Sequence, residues 1–136
     1  MKKIFPDPVW KRRYKHVLDF ESMLAEEGTV IIKLFLNISK AEQKKRLESR
    51  LQDPDKLWKF CMDDLDDRNR WDEFQTAYQD LIEKTSTPEA PWYIIPADRK
   101  WYRNLVVARL MVEKLRHLQL SLPTPNFDPA SIIIPD

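Results

Sequence analysis

A chain of 136 residues with 43% hydrophobic and 33% charged residues has the composition of a folded domain, which excludes a disordered or fibrous class. A single glycine, Gly28, against ten prolines excludes a phosphate-cradling loop, which needs two glycines before Lys-Ser/Thr, and the three-glycine dinucleotide fingerprint. The net charge of +1 conceals blocks: residues 1–19, 40–60 and 97–117 are basic, whereas residues 62–83 carry eight acids against two arginines.

In chain order, Asp7-Pro8 is a helix start, because proline fits the first helical position and aspartate accepts free N–H groups. The helix runs to about Glu27, with Trp10, Tyr14, Val17, Leu18 and Leu24 near one face, and Gly28 belongs at a left-handed C-terminal cap. Thr29 to Asn37 reads as a strand covered on both faces, with Lys33 as its one charged interruption. Ser39 and Glu42 spell a capping box that opens a helix to about Leu51, stopped by Asp53-Pro54.

After a connection around Leu57, Trp58 and Phe60, one helix is expected from Asp63 to about Thr85, with Trp71, Phe74, Tyr78, Leu81 and Ile82 on a face. Trp92 to Pro96 is a second short strand. Asp98 is expected to cap a last helix whose apolar stripe is Trp101, Leu105, Ala108, Val112 and Leu115. Residues 123–136 are proline-rich and read as extended. One cysteine, Cys61, cannot make an internal disulfide, and His16 and His117 lack zinc-site spacing. With no apolar run near eighteen residues and no apolar leader, the expectation is a cytoplasmic chain without a membrane span.

The order helix, strand, two helices, strand, helix argues for an α/β architecture with parallel strands joined by a helical crossover. Two strands with doubly covered patterning do not make a stable sheet alone, since their outer edges leave backbone groups unpaired. Another copy, a partner chain or a further N-terminal portion is expected to supply the remaining strands.

The stretches NISKAEQKKRLESRLQDPDKLWK (37–59) and STPEAPWYIIPADRKWYRNLVVARLMVE (86–113), with VWKRRYKHVLDFESMLAEEGT before them and FDPASIII after them, resemble the polyphosphate kinase 2 family. The resemblance is collinear over essentially all of residues 1–136. It implies an α/β, P-loop kinase-like (thymidylate kinase-like) three-layer fold, here its C-terminal portion with about two parallel strands and four or more helices. It also implies Mg²⁺-dependent phosphoryl transfer between inorganic polyphosphate and a nucleotide, ADP, GDP or a nucleoside monophosphate. The lid of that family corresponds to about Lys40 to Arg70. The family's Walker A loop and Walker B Asp-Arg lie N-terminal to everything here, so the chain alone is expected to be inactive and to hold no metal ligand.

Phosphoryl transfer relies on positioning and electrostatic stabilisation, so cations that reach phosphate oxygens are the candidates. Arg46 and Arg50, four apart on the capped helix, are the candidate catalytic pair; Lys44, Lys45, Lys59, Arg68 and Arg70 are candidate phosphate binders. The competing reading is local pairing, with Glu42 and Glu48 for the first group and with neighbouring acids for Arg68 and Arg70. Asp63, Asp64, Asp66 and Asp67 read as helix-start acids favoured by the macrodipole, not as a magnesium site. Arg12, Arg13 and Lys15, like Arg99, Lys100 and Arg103, read as helix-surface charges. Trp58 beside Lys59 reads as an anchor of the connection, with a base-stacking platform as the rival. A non-catalytic interaction module, either oligomeric or docked on a chain bearing the Walker half, is the second functional class, and nucleic-acid binding is a weaker third.

Overall fold

The computed structural model describes residues 7–135. Helix α1 spans Asp7–Glu26 and ends where Gly28 adopts φ +82°. The Gly28 N–H donates to Ala25 O (3.0 Å) and the Thr29 N–H to Leu24 O (2.9 Å), the paired bonds of a Schellman cap. No atom lies within 4 Å of a Cβ placed there, so the glycine answers a backbone need and not a packing one.

Strand β1 is Lys33–Asn37, shorter than the expected 29–37. It pairs in parallel with β2, Trp92–Pro96, in the register Lys33↔Trp92 through Asn37↔Pro96. Residues 29–32 have no strand opposite them, because β2 begins at Trp92, so the ladder cannot start earlier. Between the strands lie α2 (Lys40–Gln52), a 3₁₀ segment (Pro54–Lys59), α3 (Asp63–Asn69) and α4 (Trp71–Thr85); α5 (Lys100–His117) follows β2. The helix expected over 63–85 is thus two helices. They break at Arg70 (φ −104°, ψ 25°), which separates an α3 tied to α2 from an α4 packed on the sheet.

The two faces of the sheet are covered by different helices. Phe35 meets Tyr78 of α4 with ring centroids 5.1 Å apart, and Lys33 reaches α1, so α1 and α4 form one layer. Tyr93 lies on the other face, its ring 5.6 Å from Lys114 Nζ of α5. Neither face is covered across its width. Leu36 is 47% and Ile94 58% exposed, which departs from the expected doubly covered strands.

Helix α5 corrects the sequence reading most sharply. Its expected stripe is exposed, Trp101 by 64%, Val112 by 45% and Leu115 by 52%, while Val106, Val107 and Leu110 are the half-buried apolar positions. The helix carries two apolar faces, and only one of them finds the sheet.

Among the described residues the buried apolar ones are few, Leu47, Ala90, Ile95 and Ala97, and they share the interior with Lys33 and Thr85. Lys33 is 8% exposed. Its ammonium donates to Glu21 Oε2 (2.7 Å) and to the Thr85 carbonyl, and lies 5.4 Å from the Trp92 ring centroid. Trp92 Nε1 in turn donates to Thr85 Oγ1 (2.8 Å), whose hydroxyl donates to Leu81 O (2.7 Å). One cation therefore joins α1, β1, α4 and β2. Removing Glu21 would strand a buried charge, so Glu21→Ala is expected to lower stability by about 3 kcal/mol, and the double replacement Glu21→Leu with Lys33→Met by less than that. Urea unfolding of the two variants checks the order; a double replacement that costs as much as Glu21→Ala contradicts the coupling.

Candidate functional site

Ligands of open parallel sheets sit beyond the carboxyl ends of the strands. Here that end is formed by two loops held side by side, because the Ala97 N–H donates to Asn37 O (2.8 Å) and extends the ladder by one bond. The loops border a cavity of about 430 Å³ lined by Asn37, Ser39, Ile94, Asp98, Arg99 and Tyr102.

Helix α2 starts from this point. Ser39 Oγ accepts from the Glu42 N–H (3.0 Å), the first half of the expected capping box. The reciprocal half is made differently: the Ser39 N–H donates to Asp98 Oδ1 (2.7 Å), and Glu42 instead takes Arg46 Nε (2.8 Å). Asp98 is therefore not the cap of α5, which starts from Arg99 without a side-chain cap; it serves α2, 59 residues earlier in sequence. Its carboxyl group lies below the ordinary value of 3.8, chiefly through the hydrogen bonds from Ser39, with Arg46 adding a favourable charge.

Arg46 lies across the same junction. Its Nη2 donates to Ala97 O (2.7 Å) and Asp98 O (3.3 Å), so the guanidinium ties the helix to the loop after β2. Arg50 donates to Lys59 O (3.3 Å) and lies 3.5 Å from Asp64, tying α2 to the 3₁₀ segment and to α3. Arg68 donates to Lys40 O (2.7 Å) and Gln43 Oε1 (2.9 Å) and holds α3 to the start of α2. Arg70 pairs with Glu73 at 2.9 Å. A guanidinium fork suits this work, since it presents several donors in a fixed plane.

The lysines are disposed differently. Lys44 is 3.7 Å from Glu48 with both side chains mostly in solvent, Lys45 is exposed, and Lys59 Nζ sits 4.9 Å from the centroid of the Trp58 ring. Trp58 is 78% exposed and donates from Nε1 to Asp55 O (3.0 Å). The structure thus gathers Arg46, Arg50, Arg68 and Lys59 around one helical module and leaves Lys44 and Lys45 on its outer surface. Gln43 was not singled out in the sequence, and Asp98 only as a cap of the last helix; their partners lie 25 and 59 residues away, and no local pattern marks those contacts.

Among the described residues, no three of His, Cys, Asp and Glu converge as metal ligands, and no helix is long and apolar enough to cross a membrane.

Because the folded-state pKa of Asp98 is lowered, its hold on α2 is complete above the usual carboxylate range and is lost as pH falls through the lowered value, below 3.8. The Ser39 amide resonance, followed by NMR from pH 7 to 2, is expected to shift with that titration and to stay flat over it in Asp98→Asn; an unchanged profile in the variant contradicts the contact.

The chain matches Polyphosphate kinase 2 (PPK2) over residues 2–122. It is 50% identical over 134 residues to the AMP/ADP-polyphosphate phosphotransferase of Meiothermus ruber, covering 98% of this chain and 50% of that one. A protein of Leptolyngbya boryana described as lying in the chlN 3′ region is 47% identical, with 85% of each chain covered. The crystal structure of Polyphosphate Kinase 2 from Arthrobacter aurescens TC1 superposes with a TM-score of 0.88 at 49% identity, over 92% of this chain and 45% of that chain. The chain thus spans about half the length of the Meiothermus relative and of the Arthrobacter structure. The described residues adopt the α/β architecture of the P-loop kinase-like fold. With the family matched over residues 2–122 and the fold shared at this level of identity, the chain belongs to the polyphosphate kinase 2 family.

Proposed function

We propose that this chain supplies the lid and the carboxyl-terminal part of the sheet of a polyphosphate:nucleotide phosphotransferase acting in the cytoplasm. The observation that carries the reading is the 50% identity, over nearly the whole chain, to a relative named for AMP/ADP and polyphosphate. The helical module braced at the carboxyl ends of both strands is where such chemistry belongs.

In this reading a terminal phosphoryl group leaves polyphosphate, its bridging oxygen keeping the electron pair, and passes to a phosphate oxygen of ADP, GDP or a nucleoside monophosphate. Mg²⁺ would neutralise the phosphates; the described residues offer it no ligand cluster, and we assign it to none of them. Lys44, Lys45 and Lys59 bind the polyanion from solvent. Arg50 and Arg68 bridge the helices of the module and Arg70 pairs with Glu73; all three meet phosphate when a ligand displaces their carbonyl or carboxylate partners. Arg46 acts at the reacting end of the sheet, and its bonds to the 97–98 carbonyls set where its charge sits. The glycine content of these residues leaves no loop able to cradle phosphates, so turnover requires such a loop from outside them.

The test is nucleoside triphosphate formation from long-chain polyphosphate, Mg²⁺ and ADP or GDP, with and without a chain carrying the rest of the family fold. Turnover only in the mixture is expected; robust turnover by this chain alone overturns the dependence. In the active mixture, Arg46→Ala and Arg50→Ala are expected to reduce kcat at least ~10-fold, whereas Lys44→Ala with Lys45→Ala raises KM for polyphosphate and Arg12→Ala changes neither. Equal effects of Arg12→Ala and Arg46→Ala contradict the site. A complex that assembles and stays silent favours the non-catalytic interaction module.

A further inference from the structure

The 3₁₀ segment between α2 and α3 carries its largest side chain outward. Trp58 is 78% exposed, and Leu57 before it and Met62 after it are exposed as well. A tryptophan that anchored the connection by packing would be buried, since its ring has so much apolar area to remove from water. The ring is nevertheless held in one orientation. Its Nε1–H donates to Asp55 O (3.0 Å), and Lys59 Nζ lies 4.9 Å from the ring centroid. One face thus carries a cation, and the opposite face is open to solvent.

The surroundings of that face select an anion. Lys56 lies in the same segment, paired with Asp53, and Arg50 Nη1 donates to the carbonyl of Lys59, the residue after Trp58 (3.3 Å). Arg50 in turn stands one helical turn from Arg46 on α2, and Arg46 reaches the loop at the carboxyl end of β2. A ligand that lays an aromatic ring on Trp58 and phosphates on Arg50 therefore extends along α2 toward the end of the sheet. A surface built for a protein partner is depleted of charge at its centre, whereas here a lysine lies on the ring itself. Single-stranded nucleic acid uses successive aromatic platforms, and among the described residues the other exposed tryptophan, Trp101, is on α5.

We propose that Trp58 is the stacking surface for the base of the nucleotide substrate, which lies on the ring face opposite Lys59 with its phosphates toward Arg50. The choice of a nucleotide rests on the phosphotransferase reading; the choice of the stacking face does not. The geometry also limits what Trp58 reads. Its single donor is spent on Asp55 O, so the ring offers no group to a base edge, and stacking alone holds adenine and guanine alike.

The experiment titrates the isotope-labelled chain with ADP, GDP and tripolyphosphate by NMR and follows the Trp58 indole N–H, assigned by its loss in Trp58→Phe. Expected are a shift of that resonance and upfield movement of the base protons with both nucleotides, at affinities within ~3-fold of each other. Trp58→Ala is expected to weaken ADP and GDP at least ~10-fold and to leave tripolyphosphate unchanged. Trp58→Phe loses the same bond to Asp55 but keeps an aromatic face, and is expected to hold ADP within ~3-fold of the parent chain. Equal losses in the two variants, a loss of tripolyphosphate as large as that of ADP, or base protons that stay in place each overturn the proposal. So does a Trp58→Ala variant that weakens a single-stranded oligonucleotide, or abolishes association of the chain with itself, while ADP binding is untouched. Stacking of ADP without polyphosphate-dependent turnover in the mixture described above leaves this proposal standing and sinks the catalytic one; turnover whose KM for ADP is unmoved by Trp58→Ala does the reverse.

Discussion

A charge in the middle of an apolar strand organises this molecule. Lys33 costs desolvation wherever it is buried, and burial is tolerated only when every proton of the ammonium has a partner. Glu21 supplies the counter-charge from α1, the Thr85 carbonyl an acceptor from the end of α4, and the Trp92 ring a π face from β2. Meeting all three at once fixes the register, because Trp92 stands directly opposite Lys33. A slip of one residue would turn Lys33 to the α5 face, away from Glu21. Four residues further along, that register brings Asn37 opposite Pro96, lets Asn37 O take the Ala97 N–H, and sets Ser39 beside Asp98. The placement of α2 thus descends from a buried cation at the opposite end of the strands.

Signals confined to a few residues were legible in the sequence. Gly28 ends α1 with a left-handed backbone because only glycine enters that region without strain; Ser39 caps α2; Asp53-Pro54 stops it and opens the 3₁₀ segment. Interactions across tens of residues were not. The Glu42–Arg46 pair follows from four-residue helical spacing, but nothing local announces that the same guanidinium reaches carbonyls 51 and 52 residues away. The misreading of Asp98 has the same origin. An aspartate just before a helix resembles a cap, and it was outcompeted by an N–H that only the folded chain brings within 2.7 Å.

Helix α5 shows where periodicity stops being informative. A stripe at three and four residue spacing identifies an apolar face but not the surface that it meets, and a helix apolar on two sides satisfies the pattern twice. The sheet took Val106, Val107 and Leu110 and left the more regular stripe, Trp101 to Leu115, in solvent. The aromatic and aliphatic bulk that marks a core from composition alone is therefore divided here between an interior and an outer face.

That division bears on how such a chain persists. Among the described residues four apolar side chains are buried, and a two-stranded sheet is marginal without further cover, so the fold leans on the Lys33 cluster and on guanidinium bridges from α2 and α3. Arginine suits this frame because its planar fork bonds several carbonyls at once, whereas Lys44 and Lys45, as compact hydrated charges, stay at the surface. Arg46 bonds the carbonyls of both Ala97 and Asp98 from α2, so the helix and the loop that ends β2 hold each other in place.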